Sequence, residues 1–115
     1  GRFSEQVIDR TYGGMKELGN KKVSEQETTT VVLGGRLDTT TAPQLEELAE
    51  KELQNVKNLI LDFENLEYIS SAGLRIILKL QKMMNKIGTM KLIHVSEAIL
   101  EIFEVTGFVD FLDIQ

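Results

Sequence analysis

Short apolar runs alternate along this chain with longer segments in which apolar residues recur at helical spacing. Residues 28–33 give the first clear strand pattern, because three threonines precede two valines and a leucine, and β-branched residues favour extended backbone. Gly34 and Gly35 are predicted to end this strand, with residues 36–41 forming a loop. Residues 22–26 predict a short polar edge strand ahead of it.

A first helix is predicted to follow the loop. Thr41 and Gln44 have the spacing of a capping box, in which Thr41 caps the helix and the Gln44 side chain bonds back to it. Pro43 falls in the first turn, where its missing N–H is tolerated. The stripe predicted to face the core consists of Leu45, Leu48, Ala49 and Leu53.

A central strand and a second helix are predicted next. Residues 58–63 form a nearly continuous apolar run, which is typical of a strand buried on both faces or of a strand in a mixed sheet. Residues 64–69 are expected to connect it to a helix over residues 71–87, with Gly88 as its C′ stop. The apolar surface of this helix comprises Leu74, Ile76, Ile77, Leu78, Leu80, Met83, Met84 and Ile87.

The last third of the chain repeats the strand and helix pattern. Residues 90–95 predict a strand, and Ser96 is a good N-cap for a third helix, whose apolar side carries Ile99, Ile102 and Phe103. Gly107 is predicted to close this helix in the left-handed conformation, with Phe108 packing back on the helix.

Residues 109–112 predict a final short strand, so the element order is β-β-α-β-α-β-α-β. Alternating strands and helices with short connections indicate an α/β domain with a mostly parallel sheet. Residues 1–20 differ, because loosely helical spacing is broken there by two glycines. We expect residues 1–20 to be a linker or a flanking helix, or else the tail of a preceding domain, and residues 21–115 to be the α/β domain.

Composition narrows the function. A length of 115 residues fits one domain, and a net charge of −5 makes nucleic acid a poor partner. No apolar run approaches the roughly 18 residues of a membrane span, so no membrane partner is expected. The chain has no cysteine, which excludes a disulfide scaffold and fits a cytoplasmic location.

Residues that could support catalysis are sparse. His94, the single histidine, falls inside a predicted strand and is interpreted as a half-buried structural residue. Asp62 and Glu64 flank a strand end and Asp38 lies in a loop, but their spacing is not diagnostic of a metal site. There is no phosphate-binding loop and no nucleophile elbow. We therefore expect no enzyme, no metal and no cofactor.

The pair Ser70 and Ser71 follows a buried strand and begins a helix. The plain interpretation, which the residues alone favour, is an N-cap. If Ser70 caps, the Ser71 hydroxyl is free in the first turn, and Gly73 would keep the approach to it open. A phosphate on Ser71 would meet free N–H groups and the positive end of the helix dipole, so it would change the surface without unfolding the domain.

A stripe of cations lies on one face of the same predicted helix. Its members recur at spacings of four, three and four, and they are Arg75, Lys79, Lys82 and Lys86. Such a stripe is usually only a solvated face, and the alternative is a contact surface for an acidic partner. Arg75 is one turn from Ser71, close enough to meet a phosphate there.

Three segments, in order, resemble the STAS domains of bacterial anti-sigma-factor antagonists. Gly35-Arg36-Leu37-Asp38-Thr39-Thr40-Thr41-Ala42 resembles their G-x-L-D-x-x-T-A segment. Residues 66–78, LEYISSAGLRIIL, are similar to the segment around their regulatory serine, and residues 90–108 to their last strand, helix and glycine. The resemblance extends over residues 28–114.

The resemblance implies a STAS-like fold, a small mixed and mostly parallel sheet with helices packed mainly on one face. It implies that the chain binds an anti-sigma-factor serine kinase of the GHKL type and thereby releases the sigma factor. The kinase would phosphorylate Ser71 and break the complex, and a PP2C-like phosphatase would restore it. The partner-binding residues implied are Asp38, Thr39, Thr40, Ser70, Ala72, Gly73, Arg75 and Lys79.

This chain departs from the family pattern at Ser70, where many members have aspartate. Ser70 therefore remains an alternative phosphate acceptor to Ser71. The alternative function is a STAS module that is not phosphorylated and acts as a scaffold or regulator, in a stressosome, beside a transporter or as a nucleotide sensor.

Overall fold

The computed structural model describes residues 8–11, as backbone only, and residues 28–115. The elements in chain order are β1 (Ile8–Thr11), β2 (Thr28–Leu37), α1 (Ala42–Glu52), β3 (Asn58–Ile69), α2 (Ser71–Ile87), β4 (Thr89–Ile93), α3 (Glu97–Thr106) and a 3₁₀ helix (Phe108–Asp110).

The sheet has the strand order β1-β2-β3-β4, with β1 antiparallel to β2 and the other pairs parallel. Alternate residues of β2, β3 and β4 are buried, so one face of the sheet carries the core. Ile60 and Asp62 on the other face of β3 remain partly exposed, so β3 is a strand of a mixed sheet and is not buried on both faces. The α/β class and the mixed, mostly parallel sheet are confirmed.

The two glycines of β2 do not end the strand as predicted. β2 continues to Leu37, and residues 64–69 continue β3 alongside it instead of forming a connection. The register between the strands shifts between Val32 and Gly34 and again between Gly35 and Arg36, and Gly35 has a φ of 74°. The glycines therefore accommodate bulges within a longer pair, and the loop shortens to residues 38–41.

The second helix has the predicted bounds, but Gly88 ends it for a different reason. The φ of Gly88 is 175°, which is extended backbone and not left-handed. A Cβ at this position would lie 1.8 Å from the carbonyl oxygen of Lys57. Thr89 N–H donates to that same oxygen at 2.8 Å, so the start of β4 runs too close to Lys57 for any side chain at Gly88.

The third helix matches its prediction closely. Ser96 accepts a hydrogen bond from the Ile99 N–H, Gly107 is left-handed at a φ of 83°, and Phe103 stacks on Phe108 with ring centroids 6.5 Å apart. The predicted final strand is wrong, because the chain forms the 3₁₀ helix there and returns to the sheet later. Ile114 makes an isolated parallel bridge to Leu92.

The N-terminal prediction is corrected over the four residues that the structure describes. Ile8–Thr11 is a strand paired with β2, neither linker nor helix. The edge strand predicted over residues 22–26 lies outside the described residues, and the division at residues 20 and 21 stays a prediction.

Candidate functional site

The N-terminus of α2 is built on Ser70. The Ser70 hydroxyl oxygen accepts hydrogen bonds from the N–H groups of Ala72 at 3.2 Å and Gly73 at 3.3 Å. The backbone N–H of Ser70 donates to the Leu37 carbonyl at 2.9 Å, so the start of α2 is hydrogen-bonded to the end of β2. Ser70 is therefore the N-cap, and its hydroxyl is occupied in satisfying two amides that the first turn would otherwise leave unpaired.

Ser71, by contrast, is the first residue of α2 and is exposed. Among the described residues its hydroxyl has no hydrogen-bond partner. It lies in the first turn, where the positive end of the helix dipole favours negative charge. A charge placed on Ser71 would be tolerated by the fold.

Gly73 does not keep the approach to Ser71 open, because it is buried. A Cβ on Gly73 would lie 2.6 Å from the Leu37 carbonyl oxygen and 2.7 Å from Cγ1 of Ile69. The glycine lets the first turn of α2 lie directly on the end of β2. Its place is in this packing and not on the accessible surface.

The loop of residues 38–41 is organised by Asp38. Its Oδ1 accepts from the Thr40 N–H at 3.0 Å, the Thr40 hydroxyl at 2.8 Å and the Thr41 N–H at 3.2 Å. The hydrogen bond from the Thr40 hydroxyl is the largest cause of a lowered pKa for Asp38. Thr39 and Thr40 are exposed at the turn. Because Asp38 follows Leu37, this loop lies beside the start of α2.

The predicted capping box is wrong. Thr41 occupies the N-cap position, but its side chain makes no capping bond. The Thr41 hydroxyl instead donates to the Arg36 carbonyl at 2.7 Å and accepts from the Asp38 N–H at 2.8 Å. The Gln44 Oε1 is buried without a hydrogen-bond partner, so Gln44 does not bond back. Thr41 thus closes the loop rather than capping the helix.

Two side chains beside this loop were missed from the sequence. The Arg36 guanidinium lies 4.1 Å above the centroid of the Tyr68 ring, and its Nε is 3.5 Å from Oδ2 of Asp38. Arg36 and Tyr68 are partners across β2 and β3. This contact exists because both strands continue past their predicted ends, which the apolar pattern alone did not indicate.

A groove between α1 and α2 opens next to Ser71. It is lined by Thr39, Ala42, Pro43, Glu46, Ala72, Arg75, Ile76 and Lys79. Lys79 forms an ion pair with Glu46 across the groove, and this hydrogen bond raises the pKa of Lys79. All four cations of the predicted stripe are exposed. The structure therefore brings Thr39, Ala72, Arg75 and Lys79 to one groove, and their role in partner binding stays a prediction.

His94 is neither in a strand nor half-buried, contrary to the prediction. It follows β4 with a left-handed φ of 58°, and its side chain is 55% exposed. Its Nδ1 lies 2.9 Å from Oδ1 of Asp62 and 3.9 Å from Oε1 of Glu64. The hydrogen bond with Asp62 is the main cause of a raised pKa for His94. The structure thus brings Asp62, Glu64 and His94 into one cluster, in which one nitrogen or oxygen of each side chain lies within 4.8 Å of the others.

Within residues 8–11 and 28–115, no helix is both long and apolar enough to cross a bilayer.

The mixed four-stranded sheet with its three helices defines a class of α/β domain, and comparison with known proteins identifies the family. The sequence profile of the STAS domain matches residues 20–115, and the chain belongs to the STAS domain family.

Curated relatives are similar over most of their length. The chain is 34% identical over 84 residues to BtrV of Bordetella bronchiseptica, a candidate anti-sigma factor antagonist, covering 71% of this chain and 72% of BtrV. It is 32% identical over 87 residues to the anti-sigma-B factor antagonist of Staphylococcus aureus, covering 74% of this chain and 81% of the relative.

Solved structures share the fold. SpoIIAA of Bacillus in its phosphorylated form superposes with a TM-score of 0.67 at 18% identity, covering 95% of this chain and 91% of SpoIIAA. Unphosphorylated SpoIIAA superposes with a TM-score of 0.61 at 22% identity, covering 77% of this chain and 79% of SpoIIAA. At these identities the likeness concerns the fold.

Proposed function

We propose that this protein is an anti-sigma-factor antagonist that acts by binding and not by catalysis. It binds an anti-sigma-factor serine kinase of the GHKL type in the cytoplasm and so releases the sigma factor. Phosphorylation of Ser71 ends the interaction, and a PP2C-like phosphatase reverses the modification. The relatives named as anti-sigma factor antagonists support this proposal.

The observation that carries the proposal is the division of labour between the two serines. Ser70 caps α2 with its hydroxyl, whereas the neighbouring Ser71 presents an exposed hydroxyl without a hydrogen-bond partner among the described residues. A kinase needs an acceptor that it can reach without disrupting the fold. Ser71 meets this requirement, and Ser70 does not, because its modification would disturb the cap.

The surroundings of Ser71 explain how one phosphate would switch binding. Phosphate adds roughly −1.5 to −2 charges near pH 7. Thr39 of the loop lines one groove with Ala72 and Arg75, which follow Ser71 on α2. Thr39, Thr40 and Arg75 are exposed on the two segments that would meet the partner. Placing a dianion in the middle of this contact desolvates it against the partner, and about 1.4 kcal/mol of that cost weakens affinity tenfold.

The folded domain would persist after phosphorylation. The positive end of the helix dipole stabilises an anion at Ser71, and Arg75 is one turn further along α2. The switch therefore acts on the surface and leaves the fold in place. SpoIIAA, which shares this fold, has been solved in a phosphorylated and an unphosphorylated form.

The test uses the protein with the cognate kinase and ATP. Intact-mass measurement should find one phosphate, and peptide mapping should place it on Ser71. Ser71→Ala should abolish labelling and retain kinase binding by calorimetry, whereas Ser71→Glu should weaken binding at least tenfold. Ser70→Ala is the matched control and should still be labelled.

Full labelling of the Ser71→Ala protein would contradict the proposal and point to Ser70. Absence of any phosphorylated fraction in the native host, under all growth conditions, would favour the scaffold module instead. Saturable binding of GTP or ATP in calorimetry would favour the nucleotide sensor.

A further inference from the structure

Charge is segregated along the second half of the chain. Between Tyr68 and Ser96 there is no aspartate or glutamate, and the cations there are Arg75, Lys79, Lys82, Lys86 and Lys91. From Glu97 to the end the pattern reverses, because there is no lysine, arginine or histidine. The carboxylates of this last segment are Glu97, Glu101, Glu104, Asp110 and Asp113, and all five are exposed.

These five carboxylates form no salt bridge with a lysine, arginine or histidine of the described residues. Among the described residues, the salt bridges formed by lysine, arginine and histidine involve Asp38, Glu46, Glu47, Asp62 and Glu64, and none of the five belongs to this set. α3 and the 3₁₀ helix therefore present unpaired negative charge to solvent.

The same segment also exposes apolar side chains. Within the part of the chain that the structure describes, the large hydrophobic residues that are exposed are Tyr68, Val105, Val109 and Phe111, and three of these four follow α3 or end it. Val105 is 78% exposed and Phe111 is 63% exposed. Such side chains, flanked by charge, are typical of an interaction site.

One face of α3 forms the floor of this surface. A shallow depression is lined by Ala98, Glu101, Ile102, Val105 and Thr106, which recur at the spacing of a single helix face. The adjacent face of α3, about 100° further around the helix, carries Ile99 and Phe103 into the core, where Phe103 meets Phe63 at 6.1 Å between ring centroids. That packing holds α3 on the domain, and the neighbouring face with Glu101 and Val105 remains exposed.

We propose that this surface, defined by α3 and the 3₁₀ helix, binds a basic amphipathic helix of a partner protein, separately from the Ser71 site. The apolar stripe of such a helix covers Ile102 and Val105, and its lysines or arginines meet Glu101 and the neighbouring carboxylates.

Charge decides against other occupants. A second copy docked through the same face would bring Glu101 and Glu104 of both copies together with no cation in the segment to separate them. An anionic membrane or a nucleic acid would be repelled in the same way. A cationic and apolar protein segment satisfies both properties of the surface.

The test uses the full chain and a synthetic amphipathic helical peptide of leucine and lysine. A peptide of the same composition in scrambled order, and one of leucine and glutamate, are the controls. Titration followed by amide NMR should shift residues of α3 and the 3₁₀ helix with the first peptide, and neither control should bind saturably.

Matched variants distinguish a built surface from bulk charge. Glu101→Lys should weaken binding of the leucine-lysine peptide at least tenfold, and Val105→Ser should also weaken it. Glu50→Lys makes the same change in net charge on the exposed face of α1 and should leave affinity within about twofold. Ser71→Glu should not alter it, so this proposal and the phosphoswitch can fail independently.

Three results would overturn the proposal. Equal weakening by Glu50→Lys and Glu101→Lys would show only general attraction. Shifts centred on α2 would place the site elsewhere. A dimer in sedimentation that Glu101→Lys dissociates would make a second copy the occupant.

Discussion

The imidazole Nδ1 of His94 lies 2.9 Å from Oδ1 of Asp62, so the residue after β4 is joined to the neighbouring strand β3. Oδ1 of Asp62 also accepts the N–H of Glu64 at 2.9 Å, which holds the carboxylate in position. The hydrogen bond to Asp62, followed by its charge, raises the pKa of His94 above its ordinary value of 6.5. This pair makes stability depend on pH.

The protonated imidazole is favoured in the folded state, so its contribution is fully present below the pKa of the unfolded chain. It is lost as pH rises through the higher pKa of the folded protein. We expect the free energy of unfolding of the parent to fall, relative to His94→Asn, as the pH rises above the ordinary histidine pKa of 6.5. Asparagine is the control because it tolerates the left-handed backbone at this position.

Urea unfolding at a series of pH values measures this difference. Asp62→Asn should flatten the profile in the same way. Parallel profiles for the parent and His94→Asn would show that the contact contributes nothing in solution.

Alanine substitution of Ser70 and of Ser71 should change the free energy of unfolding by different amounts. Ser70→Ala leaves the N–H groups of Ala72 and Gly73 without their acceptor, and we expect a loss of about 1 kcal/mol in unfolding free energy. Ser71→Ala removes only an exposed hydroxyl and should change stability by less than about 0.5 kcal/mol. Chemical denaturation of both variants measures this. Equal losses would mean that Ser71 shares the capping role.

Thr41→Val tests the closure of the loop. Thr41 is 3% exposed, and valine would leave the Arg36 carbonyl and the Asp38 N–H without their partner. The expected loss is about 1–3 kcal/mol. Thr39→Val, at an exposed position in the same loop, is the control and should have little effect. Thermal unfolding that gives the same midpoint for both variants would refute the role of the hydroxyl.

The glycines at the ends of α2 and α3 should respond differently to alanine. At Gly88 a Cβ would collide with the Lys57 carbonyl, so Gly88→Ala should cost at least about 2–3 kcal/mol. At Gly107 nothing lies within 4 Å of a Cβ, and only the left-handed backbone opposes alanine, at about 1–2 kcal/mol. Denaturant midpoints with unchanged slopes would measure both. A larger loss at Gly107 would reverse this explanation.

The sequence predicted the order of elements better than their ends. The spacing of apolar residues and the capping residues were sufficient to predict α2 and α3, because Ser70 and Ser96 are local signals for the start of each helix. The predicted ends of β2 and β3 were wrong, because Gly34 and Gly35 were interpreted as the end of a strand. Pairing with a neighbouring strand, which no local pattern contains, carries the backbone past them through two register shifts.

The candidate site was predictable to the same extent. The sequence predicted an available Ser71 hydroxyl on the condition that Ser70 caps α2. The structure meets this condition, because Ser70 is the N-cap. In the loop, the Asp38 carboxylate accepts from the backbone amides, and the Thr41 hydroxyl bonds to β2. This arrangement depends on the orientation of the Asp38 carboxylate and of the Thr41 hydroxyl. The stacking of Arg36 on Tyr68 depends on strand register. Neither can be obtained from spacing along the chain.

The close seating of Gly73 on the Leu37 carbonyl has a consequence for recognition. With no side chain between them, the end of β2 and the first turn of α2 are in direct contact, and the Ser70 N–H is bonded to the same Leu37 carbonyl, which restricts the orientation of the neighbouring Ser71. A kinase that bound Ser71, as proposed above, would therefore lose less conformational entropy on binding, and more of the contact energy would remain as affinity. The buried Gly73 thereby preorganises the surface around Ser71 without itself contacting the kinase.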